Sequence, residues 1–247
     1  MDTQELITVF NSLNPVFTNA FIVILSCYLP LYLITLFIKN NDLWNIFTRI
    51  TSTLNAMSCV YMVINVITSE NMNIYYNMVT EGDDHVITSL YWFAAYLFVD
   101  GVFYIPTLIR KPNFQTVMSM LHHFVGGLGI YLIAHEQLGL GLGLYFAGTE
   151  ISTPLLNLSW ILYNYNIKNL FAYIEFGIFY FVFVIARIFT IPILVNYLIY
   201  NHEYIQTLTG VKFLLAYCGS GTLALLNITW SIMLTLKIWG MLKSKKE

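Results

Sequence analysis

The chain has 247 residues, of which 58% are hydrophobic, 17% are aromatic and only 10% are charged. Soluble domains are about 25% charged, so this composition excludes an ordinary soluble globule. The formal net charge of −2 provides no basic face for a phosphate backbone, and nucleic acid is therefore not expected as a partner. The three cysteines lie in apolar runs and form no disulfide or metal-binding pattern.

Seven apolar runs are long enough to cross a bilayer, which takes about 20 helical residues. They predict an all-α polytopic membrane protein with about seven transmembrane helices in one bundle. The last two runs exceed the thickness of a bilayer, and Pro192 is expected to kink the first of these two. The predicted helices cover residues 15–38, 50–68, 86–109, 116–134, 138–162, 170–200 and 208–239.

The basic residues predict the orientation of the chain. Lysine and arginine fall in the first, third and fifth connections and in the C-terminal tail, whereas acidic residues and histidines mark the others. Because cytosolic loops retain basic residues, residues 1–14 are predicted to be lumenal, residues 15–240 to form the transmembrane domain, and residues 241–247 to be a cytosolic tail. In this tail Lys243 and Lys245 resemble a K-x-K-x-x retrieval signal of the endoplasmic reticulum, although a stop-transfer cluster would look the same.

Several ionisable residues lie deep inside the predicted helices. A charged side chain near the centre of a bilayer costs about 2.5–3.5 kcal/mol, so each is a candidate for a functional site. Counted from the outer ends of their helices, they lie about 18–21 Å deep and are predicted to share one polar layer. The alternative is that they only hold helices together, at about 0.6–2 kcal/mol per contact. These residues are Asp100, His122, His123, Glu150 and Arg187.

The fourth and fifth predicted helices are joined by a short connection, so we expect the histidine pair to contact Glu150. A carboxylate beside an imidazole fixes its tautomer, as a general base or nucleophile requires. His122, His123 and Glu150 are therefore the candidate catalytic residues, although adjacent helical residues point about 100° apart and only one histidine can face a given point. No metal site is expected, because the i, i+4 ligand spacing is missing. Glycines in the same hairpin indicate close packing or a groove for an acyl chain.

Several of these residues also form a recognisable pattern. The histidine pair after Leu121, the sequence of residues 150–157 and the following Trp160 resemble the TLC-domain family, which includes the ceramide synthases and CLN-type proteins of the endoplasmic reticulum. Further matching pieces are residues 49–53 after Trp44, residues 96–100, and Arg187 ahead of Pro192. The resemblance covers roughly residues 44–194, and we place the TLC-like core at about residues 44–200.

The resemblance implies a helical bundle or barrel in the endoplasmic reticulum, with the histidine pair near a cavity open to lipid. Arg49 and Asn157, which belong to matching segments, are assigned with Asp100 and Arg187 to a polar binding layer. In ceramide synthases the histidine pair is implicated in acyl transfer from acyl-CoA to a sphingoid amine. One of the two histidines would then be base or acyl acceptor, with acyl-CoA as co-substrate and no resident cofactor.

The chain departs from the synthase pattern at one place. Where a synthase has His-Asp and a further Asp, this chain has Thr149, Glu150 and Thr153. The match is therefore closer to the non-synthase branch, and lipid handling is expected rather than ceramide synthesis itself.

Two hypotheses follow. In the first, the chain is a protein of lipid metabolism that binds a long acyl chain or sphingolipid and transfers the acyl group through a histidine. In the second, it is a non-enzymatic regulator of lipid composition, a lipid sensor or a cargo-sorting receptor of the early secretory pathway. A receptor or transporter is disfavoured, because the chain has no long basic loop and no inverted repeat. The oligomeric state is left open.

Overall fold

The computed structural model describes residues 13–37, 41–69, 72–78, 84–110, 113–167 and 169–243. Within these ranges the protein is α-helical and has no β-strand, which confirms the predicted all-α polytopic class. Most of the N-terminal segment and the end of the tail, including Lys245, lie outside the described residues. Lys243 is the last residue of the final described helix.

Twelve α-helices follow one another along the described chain, and three of the junctions between them are single 3₁₀ or π turns. The 3₁₀ turn Glu150–Ser152 separates α6 from α7, and the π turns Ile185–Phe189 and Leu215–Gly219 precede α9 and α12. The helices are α1 Pro15–Phe37, α2 Asn41–Thr68, α3 Met72–Tyr76, α4 Asp84–Arg110, α5 Phe114–Glu136, α6 Leu140–Thr149, α7 Thr153–Asn164, α8 Leu170–Val184, α9 Thr190–Tyr200, α10 His202–Thr207, α11 Val211–Leu214 and α12 Ser220–Lys243.

Six stretches of the described helices are long and apolar enough to cross a membrane, with mean hydropathy between 1.3 and 2.4. Such helices satisfy their backbone hydrogen bonds internally, as the hydrocarbon of a bilayer requires. Large apolar side chains remain exposed on them, for example Leu54 at 60% and Phe181 at 66%, as expected for surfaces that contact lipid. The stretches are Pro15–Leu36, Leu43–Thr68, Asp84–Pro106, Phe114–Glu136, Leu170–Tyr200 and Lys212–Leu236.

The predicted helix over residues 138–162 is helical but interrupted. Its α-helical hydrogen bonding stops at Thr149 and resumes at Thr153, with the 3₁₀ turn between them. Pro154 has no N–H to donate, so it fits the first turn of α7, where the N–H groups have no partner within the helix. The turn places Glu150 at the interruption.

The predicted helix over residues 170–200 is interrupted as well, but not at its proline. The irregularity is the π turn Ile185–Phe189, which carries Arg187. Pro192 follows in the first turn of α9, where a residue without an N–H is tolerated. A π turn is rare and often lies at a functional site, because the extra residue rotates one side chain out of the regular register.

The chain divides into two compact units, the first of which comprises Met1–Thr48 and Ser69–Gly143. Its central helix is α4, on which α1 and α5 pack. Within their apolar stretches 61% of α4 is buried inside the protein, compared with 17% of α1 and 22% of α5. Leu90, Ala94 and Val99 of α4 are fully buried at 0% exposure and form the core of this unit.

Glycines allow α4 and α5 to approach closely. A Cβ atom on Gly127 would lie 3.2 Å from the Phe98 ring and 3.3 Å from the Cβ of Leu97. A Cβ on Gly101 would lie 3.2 Å from the Cβ of His123. Both glycines therefore serve close packing, which for Gly127 is the first of the two roles considered for the glycines of the hairpin.

The turn between α5 and α6 depends on backbone conformations with positive φ. Gln137 has φ 51° and Gly139 has φ 73°, a region that is accessible to glycine at little cost. The amide N–H of Gly139 donates to the carbonyl oxygen of Met78 at 2.8 Å. This bond ties the turn to the chain that follows α3.

The second unit comprises Arg49–Thr68 and Leu144–Glu247. In it α7 packs on α8, and α12 packs on α8 and on the π turn that follows α8. Phe179, Phe183 and Leu226 are buried apolar residues of this unit, with exposures of 2%, 6% and 3%. The π turn is thereby held between helices, and its arginine faces the interior.

The glycines of α5 provide a matched test of this packing. We expect Gly127→Ala to destabilise the protein by about 1–3 kcal/mol, because the added methyl group overpacks the contact with α4. A Cβ atom on Gly129 would meet no heavy atom within 4 Å, so Gly129→Ala should instead stabilise α5 by about 0.5–1 kcal/mol through helix propensity. Thermal unfolding of both variants in the same detergent measures the difference, and equal shifts would contradict the packing.

Candidate functional site

The histidine pair and Asp100 meet where α4 packs on α5. The Nε2 atom of His123 lies 3.3 Å from Oδ2 of Asp100, and the two side chains are only 13% and 11% exposed. His123 is near the middle of the apolar stretch Phe114–Glu136. An acid and an imidazole are therefore paired inside a membrane helix, where neither would be stable alone.

Aromatic side chains surround this pair. The hydroxyl of Tyr28 in α1 donates to Oδ1 of Asp100 at 3.2 Å, so both carboxylate oxygens have a partner. The rings of Tyr104 and Tyr96 lie 5.3 Å and 6.5 Å from the His123 ring, measured between centroids. Tyr28 is 1% exposed and packs in turn against Phe103, which fixes the donor and thereby the carboxylate.

The pairing leaves one imidazole nitrogen of His123 available. Nδ1 is buried and has no hydrogen-bond partner among the described residues. A carboxylate next to Nε2 favours the tautomer with the proton on that nitrogen, which leaves the lone pair on Nδ1. This tautomer is assigned from the neighbouring carboxylate. A buried lone pair with no donor facing it is what a base or nucleophile needs before it meets its substrate.

The His122 ring is oriented differently from the ring of its neighbour. Its ring centroid lies 5.6 Å from that of His123, and the ring planes are almost perpendicular at 85°. This agrees with the expectation that adjacent residues of a helix face different directions. The structure shows His123 paired with a carboxylate, which the sequence could not decide between the two histidines.

The second unit contains another buried pair, between Arg187 and Glu150. The Nη2 atom of Arg187 donates to Oε1 of Glu150 at 3.3 Å, its Nε donates to the Ser152 hydroxyl at 3.4 Å, and its Nη1 donates to Oδ1 of Asn227 at 3.2 Å. Thr153 donates to the other oxygen of Glu150 at 2.6 Å. Each of these residues is at most 9% exposed. The network is closed, because both carboxylate oxygens and all three guanidinium nitrogens have partners.

Two elements of irregular geometry create this network. The 3₁₀ turn presents Glu150 and Ser152, and the π turn presents Arg187 between them and Asn227 of α12. The sequence analysis identified the two charged residues but not Asn227. A polar amide side chain inside an apolar run was the sequence feature that could have indicated it. Polar residues of this kind are expected to face other helices rather than lipid.

Arg49 and Asn157 form a third polar contact, also in the second unit. The Nη1 atom of Arg49 donates to Oδ1 of Asn157 at 3.0 Å, and Nδ2 of Asn157 donates to the Arg49 carbonyl oxygen at 3.1 Å and to the Thr53 hydroxyl at 3.0 Å. The Arg49 guanidinium lies 4.8 Å above the Trp160 ring. These contacts connect α2 with α7 and explain why both residues belong to the same predicted polar group.

Glu175 was missed by the sequence analysis, although it is 5% exposed and lies in an apolar helix. Its Oε2 atom accepts a hydrogen bond from the Ser159 hydroxyl at 2.7 Å, and its Oε1 atom has no partner within the described chain. The sequence did contain an indication of this residue, because an acidic residue five positions inside an apolar run is unusual. No group of three or more His, Cys, Asp or Glu side chains able to hold a metal ion is found in the described ranges.

The predicted site residues therefore occur in separate pairs. Asp100 and the histidines belong to the first unit, and Glu150, Arg187, Asn157 and Arg49 to the second. The carboxylate beside His123 in the structure is Asp100, and the charged partner of Glu150 is Arg187. The single polar layer, and with it the contact between the histidine pair and Glu150, stays a prediction.

These features define a multi-pass helical membrane protein with buried ionisable pairs. Residues 45–236 match the TLC domain, which is well over half of the chain. The protein therefore belongs to the TLC-domain family, a family of membrane proteins of lipid metabolism or sensing. No curated protein and no solved structure matches the chain.

Removing either member of the Arg187–Glu150 pair is expected to leave a buried charge without its partner. We expect Arg187→Met and Glu150→Gln each to lower the free energy of unfolding by about 3–5 kcal/mol. The double variant removes both charges and should lose clearly less than the sum of the single losses. Unfolding in detergent, followed by tryptophan fluorescence, measures the three variants. Strict additivity would show that the two side chains do not interact.

Proposed function

We propose that the protein binds a long acyl chain or acyl lipid from the membrane and transfers the acyl group with the help of His123. The observation that supports this is the buried His123–Asp100 pair, in which Nε2 faces a carboxylate and Nδ1 has no partner among the described residues. An imidazole held in this way is oriented for proton transfer rather than for packing alone.

The position of the pair indicates the kind of substrate. His123 is nine residues from Phe114 and thirteen from Glu136, which corresponds to about 14 Å and 20 Å along the helix. A reactive carbonyl group must therefore reach this nitrogen within the hydrocarbon. A long acyl chain favours this, because burial of its apolar methylene groups offsets the cost of desolvating the carbonyl group. Membership of the TLC-domain family supports the same class of substrate.

The proposed step uses an acyl thioester such as acyl-CoA as donor and a lipid amine or hydroxyl as acceptor. Nδ1 takes the proton of the acceptor as its nitrogen or oxygen attacks the thioester carbonyl carbon. The C–S bond then breaks, and the imidazolium returns the proton to the leaving thiolate. Asp100 stabilises the transient positive charge, as a carboxylate does for an imidazolium.

Asp100 is in this scheme a positioning residue that acts through His123. Its second oxygen is held by the Tyr28 hydroxyl, so the carboxylate cannot turn away from the imidazole. Because the carboxamide of asparagine has nearly the same shape, Asp100→Asn keeps the packing but loses the charge and the control of the tautomer.

We expect His123→Ala to abolish the change in cellular acyl-lipid composition that expression of the wild-type chain produces. Asp100→Asn should lower turnover about 10²–10⁴-fold with little effect on KM, since it disturbs proton transfer rather than binding. Asp100→Glu should restore part of the lost turnover. Lipidomics of expressing cells, followed by assays of the purified protein with acyl-CoA, measures these effects.

His135→Ala is the matched control, because His135 lies in the same helix but is exposed and stacks on Tyr131. It should behave as the wild type in both assays. Identical lipid profiles for wild type and His123→Ala, at equal expression and unfolding temperature, would exclude acyl transfer through His123.

A second candidate function is that of a non-enzymatic lipid sensor, composition regulator or cargo-sorting receptor. The closed network around Arg187 favours it, because both carboxylate oxygens of Glu150 are engaged within the protein and neither is left for a substrate. In this case the buried pairs hold the helices in register, and the protein recycles in the early secretory pathway. The topology with a cytosolic C-terminus belongs to this proposal.

For the second candidate we expect Lys243→Ala/Lys245→Ala to leave the endoplasmic reticulum for later secretory compartments, because a dilysine-type signal is read only when intact. Fluorescence microscopy of the tagged protein, with the tag at the N-terminus, measures the change. Lys212→Gln removes a charge elsewhere and serves as control. If the double variant stays in the endoplasmic reticulum, recycling through these two lysines is excluded as part of the second candidate function.

A further inference from the structure

Arg49 lies at a depth where lipid headgroups are within reach. It is six residues after Leu43, where the apolar stretch Leu43–Thr68 begins, or about 9 Å along the helix. An arginine at this depth extends its guanidinium group towards the interface. Its side chain is partly buried, so it is neither free in water nor enclosed in the core.

The guanidinium group of Arg49 is held in place but not neutralised. Asn157 accepts from Nη1, and the Trp160 ring supports the guanidinium plane at 4.8 Å. Neither the His123–Asp100 ion pair nor the Arg187–Glu150 ion pair involves Arg49. Within the described ranges its Nε and Nη2 atoms have no hydrogen-bond acceptor.

Arg187 provides a comparison within the same protein, because its guanidinium group is bonded entirely to other residues of the chain. All three of its guanidinium nitrogens have acceptors, and one of these is a carboxylate. Arg49 has an amide and an aromatic ring instead, which orient it and leave its positive charge without a counter-ion among the described residues. A partly buried charge is costly when it has no counter-ion, so an anion at this guanidinium group would be stabilising.

We propose that Arg49, Asn157 and Trp160 form a binding subsite for a phosphate group. A planar guanidinium group donates two parallel hydrogen bonds to phosphate oxygens, and an aromatic ring that stacks on it keeps the plane fixed. The phosphate belongs either to the headgroup of a membrane phospholipid or to a soluble carrier of the coenzyme A type. Binding of a phosphate here requires no reaction at His123, so it can be tested separately from the proposed acyl transfer.

The experiment measures binding of three probes to the purified full-length protein in a neutral detergent. The probes are dioctanoyl phosphatidic acid, dioctanoylglycerol, which lacks the phosphate, and coenzyme A. We expect Arg49→Gln to weaken binding of a phosphate-bearing probe about tenfold or more, because charge-assisted hydrogen bonds are lost. Arg49→Lys keeps the charge but not the paired donors, so its affinity should be intermediate. Dioctanoylglycerol should bind all variants equally.

Lys212→Gln is the matched control, because it removes one positive charge from an exposed residue outside the subsite. If only the affinity for phosphatidic acid depends on Arg49, the phosphate belongs to a lipid headgroup. If the affinity for coenzyme A depends on Arg49, the phosphate belongs to the soluble carrier. Asn157 still bonds the backbone carbonyl of residue 49 in these variants, so they should fold. If Arg49→Gln nevertheless lowers the unfolding temperature, the affinity of Arg49→Lys for the phosphate-bearing probes is the test of the proposal. Equal affinities of Arg49→Gln, Arg49→Lys and Lys212→Gln for both phosphate-bearing probes would overturn the proposal.

Discussion

The interior of a bilayer solvates no charge, and this constraint governs where the ionisable side chains of the protein lie. Each such group deep in an apolar helix needs a partner from another helix, since lipid provides none. His123 pairs with Asp100 and Arg187 pairs with Glu150, in both cases with 3.3 Å between the nitrogen and the carboxylate oxygen. The helices that supply these groups must therefore pack in a defined register, and the glycines between α4 and α5 make the required close approach possible.

The two pairs satisfy this constraint to different degrees. Around Arg187 every guanidinium nitrogen and both oxygens of its acidic partner are bonded, as in a structural network that holds its helices in register. Around His123 the carboxylate is fully bonded, but one imidazole nitrogen has no partner among the described residues. Leaving a buried polar atom without a partner costs about 1–3 kcal/mol, which a purely structural contact would avoid. The proposed role of His123 rests on this difference together with its pairing with Asp100.

Of the three 3₁₀ and π turns in the described chain, two carry the charged groups of the buried ion pair, and none contains a proline. The 3₁₀ turn carries Glu150 and the π turn carries Arg187, whereas Pro154 and Pro192 lie within first turns of helices. A regular α-helix presents side chains at fixed steps of about 100°, so an extra or missing residue in a turn changes the direction in which one side chain points. The protein uses this freedom to align an arginine with a carboxylate, a serine and an amide.

Composition and hydropathy were sufficient to predict the all-α membrane class, most helix positions, and most of the buried ionisable residues, because these follow from the local cost of polar groups in lipid. The start of α2 at Asn41, the three interrupted helices and the contacts of Asn227 and Glu175 did not follow from the sequence. Nor did the choice of partners, since hydropathy reports how deep a residue lies but not towards which neighbour it points. The direction of a side chain is determined by the packing of whole helices, and only the tertiary structure decided that His123 faces Asp100.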